Sequence, residues 1–172
     1  MIEVRIASIE NCSADIIVNA SNGIGYMGGF IGRFIKLKGV AESLHYATKG
    51  AIERESKNLL KREPIEVGKV FITSEGNLNA KKIIHAVTMK KPGQKSSIEI
   101  VEECLKNIIQ AVNSLNAQTV CIPALGTGTG KVNKTKVADL FYNYLKDEKV
   151  KYIIIDPNGD FSRLFNTDKR RF

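Results

Sequence analysis

The chain has 172 residues, of which 43% are hydrophobic and 26% are charged, and this length fits one domain over residues 1–172. No run approaches the roughly 18 apolar residues of a membrane span, and the charged start is unlike a secretory signal, so a cytoplasmic protein with no membrane partner is expected. The net charge of +8 favours anionic partners such as nucleotides or modified macromolecules, with nucleic acid as a secondary candidate.

Hydrophobic periodicity predicts strands and helices that alternate along the chain. Strands are expected over residues 2–7, 15–20, 67–73, 82–87, 118–122 and 150–155. Helices are expected over residues 39–61, 97–115 and 134–147, with Gly50 interrupting the first, Ser96 and Glu99 capping the second, and a short further helix around Ser162. This order predicts an α/β fold, a three-layer α/β/α sandwich with a mixed, mostly parallel central sheet.

Two glycine-rich segments each follow an apolar strand. The first, loop one (residues 23–38), follows Asn22 and contains five glycines. The second, loop two (residues 126–130), reads Gly-Thr-Gly-Thr-Gly and follows the strand 118–122. Glycine lets successive backbone N–H groups point into one concavity that suits phosphate, and loops at the carboxyl ends of strands converge on one crevice. The two loops together predict a ligand with a diphosphate in its middle.

Four segments of the chain resemble those of a known family in the same order. Ala14–Asn22 resembles a strand that ends in N-A-A-N, and Leu78–Val87 resembles L-P-A-K-x-V-I-H-x-V. Ile122–Gly128 resembles a second phosphate loop, and Gly39–His45 resembles a helix start, G-V-A-x-A-I-H. These segments are similar to the macrodomain, the ADP-ribose-binding module, and the similarity runs from about residue 4 to residue 165.

The resemblance implies that ADP-ribose, free or attached to a macromolecule, lies along the crest of the sheet with its diphosphate between the two loops. The residues that it assigns to the ligand are Ser8 and Ile9 after the first strand, Ala20, Ser21 and Asn22 at the distal ribose, Gly28, Gly29, Arg33, Gly39, Val40 and Ala41 in and after loop one, Gly126, Thr127, Gly128, Thr129 and Gly130 at a phosphate, and Asp156 and Asn158 beside the adenine. No metal or cofactor is expected, since the three cysteines form no CxxC pair.

Two departures from the family pattern bear on activity. Ser8 stands where the family has an adenine-binding Asp, so the charge-assisted part of that hydrogen bond is lost. The hydrolytic members have an Asp beside the distal ribose, and the two possible alignments place Gly32 or Ala41 there. In a second class with a catalytic lysine, Gly29 falls at the lysine position. Asn22 is therefore the one remaining candidate for a catalytic residue.

These departures favour an ADP-ribose-binding module with slow or no hydrolysis. The alternatives are an ADP-ribosylhydrolase that acts on modified protein or nucleic acid, an ADP-ribose 1″-phosphate phosphatase, and, less favoured, an RNA- or poly(A)-binding module. A P-loop is excluded at loop two because Leu125 and Val132 occupy two of its required positions. His85 is interpreted as a core histidine, and Tyr26 and Phe30 either pack down or cover the ligand as a lid.

Overall fold

The computed structural model describes residues 1–61 and 63–167. Within them lie the strands β1 (Ile2–Arg5), β2 (Ile16–Asn22), β3 (Val70–Thr73), β4 (Lys82–Met89), β5 (Thr119–Pro123) and β6 (Lys151–Ile155), and the helices α1 (Val40–Ala47), α2 (Ala51–Leu59), α3 (Ile98–Ser114), α4 (Lys134–Leu145) and α5 (Asp160–Thr167). The predicted alternation is confirmed. Gly50, with a φ of +79°, separates α1 from α2 as expected.

The strands form one sheet in the order β1-β6-β5-β2-β4-β3. Neighbouring strands are parallel except for β3, which runs antiparallel to β4. In β2, Ile16, Ile17 and Val18 are all buried, as a parallel strand with both faces covered requires. The mixed, mostly parallel sheet that the sequence predicts is therefore confirmed.

Helices cover both faces of the sheet. On one face Ile16 and Val18 pack in a core with apolar residues of α3, α4 and α5. On the other face Ile17 packs in a second core with Leu44 of α1 and Ile52 of α2. These two cores confirm the three-layer sandwich, and they leave the carboxyl ends of β2, β5 and β6 at one open edge. None of the helices within residues 1–61 and 63–167 has the length and apolarity to cross a membrane.

The start of α3 differs from the predicted cap by one residue. Ser97, not Ser96, is the N-cap, and its hydroxyl accepts a hydrogen bond from the backbone N–H of Ile100 at 3.3 Å. The backbone N–H of Ser96 instead donates to the carbonyl of Gly130 at 3.0 Å. This contact ties the segment before α3 to loop two, so the helix start is set by a tertiary interaction that the local sequence does not contain.

His85 is a buried residue of β4 with both ring nitrogens engaged. Its Nδ1 lies 3.0 Å from Nδ2 of Asn19, and its Nε2 lies 2.9 Å from the hydroxyl of Thr73. The ring stacks on Phe71 with centroids 4.4 Å apart. Burial lowers the pKa of His85 to about 3, so the imidazole is neutral at physiological pH. His85 therefore links β2, β3 and β4 inside the sheet.

Candidate functional site

A cleft of about 770 Å³ opens at the edge where β2, β5 and β6 end. Loop two, the first turn of α1 and the segment after β6 surround it. Most residues that the sequence assigns to the ligand line this cleft: Ser8, Ile9, Ala20, Ser21, Asn22, Gly39, Val40, Ala41, Gly126, Thr127, Gly128, Thr129, Gly130, Asp156 and Asn158. The structure thus brings together segments that are more than a hundred residues apart in the chain. Whether each contacts a ligand stays a prediction.

Loop two is held by its own backbone. The N–H of Val132 donates to the carbonyl of Gly126 at 3.0 Å, and the N–H of Lys131 donates to that of Gly128 at 3.1 Å. Within the described part of the chain, no partner is found for the backbone N–H groups of Gly126, Gly128, Thr129 and Gly130. These donors lie in a segment that lines the cleft, which is the arrangement of an anion-binding nest.

The glycines of loop two have different surroundings. A Cβ on Gly126 would lie 2.7 Å from Cγ2 of Val101, and one on Gly130 would lie 2.6 Å from the carbonyl oxygen of Gly126. A Cβ on Gly128, in contrast, would meet nothing within 4 Å. Gly126 and Gly130 are therefore required by packing, whereas Gly128 lies against open cleft.

The first turn of α1 forms another wall of the cleft. Gly39, Val40 and Ala41 line it, and the first N–H groups of a helix have no partner within the helix. The partial positive charge at this end favours an anion. A Cβ on Gly39, whose φ is +128°, would overlap with Oε2 of Glu42, so the glycine is needed where that carboxylate folds back over the helix start.

Glu42 is a cleft carboxylate that the sequence analysis missed. It lines the cleft and is half-buried, and burial raises its pKa above the ordinary value against a smaller opposing effect of its own backbone N–H. Glu42 follows loop one, whose charged side chains are all cationic, and adds a carboxylate to the cleft. The signal in the sequence was the spacing Gly39-x-x-Glu42, because a carboxylate in the first turn of a helix folds back on its N-terminus.

The side chain of Asn22 forms hydrogen bonds that hold the first turn of loop one. Its Nδ2 donates to the carbonyl of Tyr26 at 2.7 Å, and its Oδ1 accepts the N–H groups of Ile24 at 3.3 Å and Tyr26 at 3.1 Å. Since an amide oxygen has two lone pairs and the nitrogen two hydrogens, one N–H remains for a ligand. The catalytic role of Asn22 stays a prediction, and its present contacts are those of a turn-forming side chain.

Gly28, Gly29 and Arg33 do not line the cleft. The buried carboxylate of Glu53 accepts the N–H of Met27 at 2.7 Å and that of Gly29 at 3.0 Å. The carbonyl of Gly29 lies 2.7 Å from Nε2 of His45. The backbone around these glycines is thus engaged by α1 and α2. The ligand contacts expected for the three residues remain untested.

The Glu53 carboxylate, which anchors loop one, is stabilised in its ionised form. Burial alone would raise the pKa of Glu53, but hydrogen bonds from Lys57, Gly29 and Met27 outweigh it and leave that pKa below the ordinary value. Lys57 donates to Oε1 at 2.7 Å, and its ammonium also lies 5.2 Å from the centre of the Tyr26 ring. Glu53 is therefore ionised at neutral pH and holds the loop through its charge.

One end of the cleft lies between Ser8 and the residues that follow β6. Oδ2 of Asp156 accepts the N–H groups of Phe161 at 2.7 Å and Ser162 at 2.9 Å, so this carboxylate caps α5. In the part of the chain that the structure describes, the hydroxyl of Ser8 has no hydrogen-bond partner. Among the described residues at this end, Ser8, Asn158 and Oε2 of Glu10 keep hydrogen-bonding capacity.

Ion pairs that the sequence analysis did not predict also border the cleft. Lys36 of loop one bonds Glu10 in the turn after β1, and Lys134 at the start of α4 pairs with Asp160 of α5. All four residues line the cleft. Each pair joins residues 26 positions apart in the chain, so no local pattern could have identified them. Tyr26 lines the cleft and is partly exposed, whereas Phe30 is exposed and lies outside the cleft lining.

The fold and the cleft together define an α/β protein whose main-chain N–H donors line a cleft at the crest of its sheet. The family model described as Macro domain matches residues 18–141 of the chain. An uncharacterized protein of Aquifex aeolicus is 36% identical over 137 residues, which cover 80% of this chain and 76% of that protein. The chain therefore belongs to the macrodomain family.

Two further similarities are more distant. The O-acetyl-ADP-ribose deacetylase of Salmonella typhimurium is 27% identical, with 90% of this chain and 87% of that protein covered. A mutant Oceanobacillus iheyensis macrodomain with ADPR superposes with a TM-score of 0.81 at 18% identity, covering 98% of this chain and 91% of that one. At such low identity the structural likeness establishes the fold alone.

Proposed function

We propose that the protein binds ADP-ribose, free or attached to a macromolecule, in the cleft at the crest of its sheet. The observation that carries the proposal is the pair of main-chain donor groups on two walls of one cleft. Loop two offers N–H groups that lack partners in the described chain, and the first turn of α1 offers those of Val40 and Ala41, since the N–H of Glu42 bonds its own carboxylate. A diphosphate has two negatively charged groups in series and so matches two such nests.

The rest of the ligand follows from the ends of the cleft. The adenine lies at the Ser8 end, where a neutral hydroxyl accepts a hydrogen bond from a purine amino group. The distal ribose lies by Ala20, Ser21 and Asn22, next to Tyr26. The solved Oceanobacillus iheyensis macrodomain with ADPR supports this assignment at the level of the fold. Binding of phosphate by main-chain N–H groups agrees with a cleft whose lining, among the described residues, includes lysines but no arginine.

The proposal is tested by titrating the wild type and the Gly128→Val variant with ADP-ribose in a calorimeter and comparing the two affinities. A Cβ at Gly128 meets no atom within 4 Å, so we expect the fold to tolerate valine there while the side chain blocks the phosphate nest. We expect affinity to fall at least about tenfold, the cost of forcing extra carbons into a filled space. Asn143→Val, an exposed change on α4, is the matched control and leaves affinity unchanged.

Two results would contradict the proposal. One is equal ADP-ribose affinity in wild type and Gly128→Val at unchanged thermal stability. The other is displacement of bound ADP-ribose by poly(A) at comparable concentration, which would favour the alternative of an RNA-binding module.

A second candidate function is slow hydrolysis of a bond at the distal ribose, and the position of Glu42 favours it. A cleft carboxylate with a raised pKa is suited to general base catalysis. In this step Glu42 takes a proton from a water, the water oxygen bonds to the anomeric carbon, and the bond from that carbon to the acceptor breaks. The similarity to the Salmonella deacetylase supports hydrolytic chemistry in the family.

Hydrolysis is tested with mono-ADP-ribosylated protein under single-turnover conditions. Glu42→Gln removes the base but keeps the shape, so we expect release to slow by about 100-fold while ADP-ribose affinity stays within a few fold. The wild-type rate should rise with pH through the pKa of Glu42 and then level off. Equal rates in wild type and Glu42→Gln would remove this residue from catalysis and leave binding as the function.

A further inference from the structure

The apex of loop one (residues 30–38) exposes a cluster of large apolar side chains that the proposed function does not use. Phe30, Ile31, Phe34 and Ile35 are 73%, 62%, 68% and 59% exposed. None of these four residues lines the cleft. A group of exposed apolar side chains this close in sequence marks an interaction surface in a folded protein.

The apex is also positively charged. It contains Arg33, Lys36 and Lys38 and no acidic residue, and the sequence has no Asp or Glu between Asp15 and Glu42. Lys36 is paired with Glu10, whereas the structure gives Lys38 no partner among the residues that it describes. Apolar side chains interleaved with cations thus form one continuous segment of the surface.

Contacts within the apex hold its aromatic side chains together. The rings of Phe30 and Phe34 meet edge to face with centroids 5.3 Å apart, and the guanidinium of Arg33 lies 6.0 Å from the centre of the Phe30 ring. The Arg33 side chain also packs against Gly50, where a Cβ would lie 2.7 Å from its Nε. The apex is therefore braced against the start of α2 and presents a protruding surface.

We propose that the apex of loop one binds an anionic lipid surface. Exposed Phe and Ile side chains enter the boundary between headgroups and acyl chains, and adjacent cations are attracted by anionic headgroups. This inference does not depend on ADP-ribose binding, and it revises the expectation from the sequence that no membrane is involved.

Other partners fit these side chains less well. Two copies of the apex would repel each other, since each is cationic in a chain of net charge +8. Single-stranded nucleic acid stacks successive bases on flat rings, but Ile31 and Ile35 offer none, and the rings of Phe30 and Phe34 meet edge to face rather than as parallel platforms. A surface of exposed apolar and cationic side chains therefore matches an anionic lipid surface best.

The cleft and the apex share residues. Lys36, Leu37 and Lys38 belong to the apex and also line the cleft. A protein docked through its apex would hold the cleft mouth next to the lipid surface. It would therefore meet ligands that are themselves attached at a membrane.

The experiment is co-sedimentation of the full chain with phosphatidylcholine vesicles that contain or lack phosphatidylglycerol. We expect binding to the anionic vesicles, weakened by salt, and little binding to the neutral ones. Phe30→Ser combined with Phe34→Ser should reduce the partition coefficient at least about tenfold because two apolar insertions are lost. Lys38→Gln should reduce it roughly fivefold on anionic vesicles alone.

The matched control is Leu59→Ser combined with Leu115→Ser, which removes two exposed apolar side chains elsewhere and should leave partitioning unchanged. Thermal unfolding verifies that each variant is folded, and ADP-ribose titration does so for the Phe30/Phe34 and Leu59/Leu115 variants, whose changed residues lie outside the cleft lining. The proposal is overturned if the wild type stays in the supernatant with anionic vesicles, or if the Phe30/Phe34 variant sediments as the wild type does. It is equally overturned if those two changes abolish a dimer or single-stranded DNA binding instead.

Discussion

Loop two and loop one are both rich in glycine and lie at the same edge of the sheet, but different interactions hold them. In loop two the constraint is steric and local, since a Cβ on Gly130 would meet the carbonyl oxygen of Gly126. In loop one the constraint comes from side chains, with Asn22 inside the turn and Glu53 reaching in from α2. Glycine content alone therefore does not reveal how a loop is held.

The largest loss of stability is expected from a substitution in loop two, where a glycine is sterically constrained. In Gly130→Ala the new Cβ would lie 2.6 Å from the carbonyl oxygen of Gly126 and 2.9 Å from Cβ of Ser96, so loop two must shift. We expect the free energy of unfolding to fall by about 3 kcal/mol, measured by urea denaturation. Gly128→Ala is the control and should cost less than about 1 kcal/mol. Similar losses in the two variants would mean that local packing does not shape loop two.

Features of the fold that are encoded in nearby residues could be predicted from the sequence. Apolar patterns located the strands and helices, because a continuous apolar run marks a strand covered on both faces, as in β2, and a spacing of three to four residues marks the covered face of a helix, as in α3. The place of loop two at the cleft followed from its position after β5, although its glycines are constrained both by the loop's own backbone, as at Gly130, and by Val101 of α3, as at Gly126. The fold class and the cleft edge followed from these elements.

The missed features depend on long-range contacts. Glu53 lies 24 residues from Gly29, and a Glu on an amphipathic helix looks like any solvated residue until the fold buries it. The cap of α3 is likewise decided by Gly130, which lies 34 positions after Ser96 in the chain. Tertiary partners of this kind leave no periodic signal, so the sequence could not reveal that α1 and α2 engage the backbone of Gly29.

A smaller effect is expected from Glu53→Gln, which removes the charge that holds loop one. The N–H groups of Met27 and Gly29 then share a neutral acceptor, and Lys57 loses its partner. We expect a loss of about 2 kcal/mol of unfolding free energy at pH 7, typical of a buried charged hydrogen-bond acceptor. Glu66→Gln, an exposed change, should cost almost nothing. An equally stable Glu53→Gln would show that loop one does not rely on this carboxylate.

The lowered pKa of Glu53 predicts how the free energy of unfolding changes in acid. The pKa of Glu53 is lower in the folded protein than in the unfolded chain, so its contribution is complete above the unfolded value of about 4.3 and is lost as the pH falls below it. The wild type should therefore be more stable than Glu53→Gln at pH 7, and the difference in unfolding free energy should shrink as the pH falls. Urea denaturation of both proteins between pH 7 and pH 3 measures this convergence, and a constant difference across the range would contradict it.

The smallest effect is expected at Asn22, where loop one is held by a neutral side chain. Asn22→Ala removes three hydrogen bonds of the turn and should cost about 1–2 kcal/mol, whereas Asn143→Ala on the exposed face of α4 should cost little. Asn22→Asp keeps the oxygen that accepts from Ile24 and Tyr26 but places a negative charge against the carbonyl of Tyr26. It should therefore fall between the wild type and Asn22→Ala in stability. If Asn22→Ala loses turnover without losing stability, Asn22 acts on the ligand directly and not through the loop that it shapes.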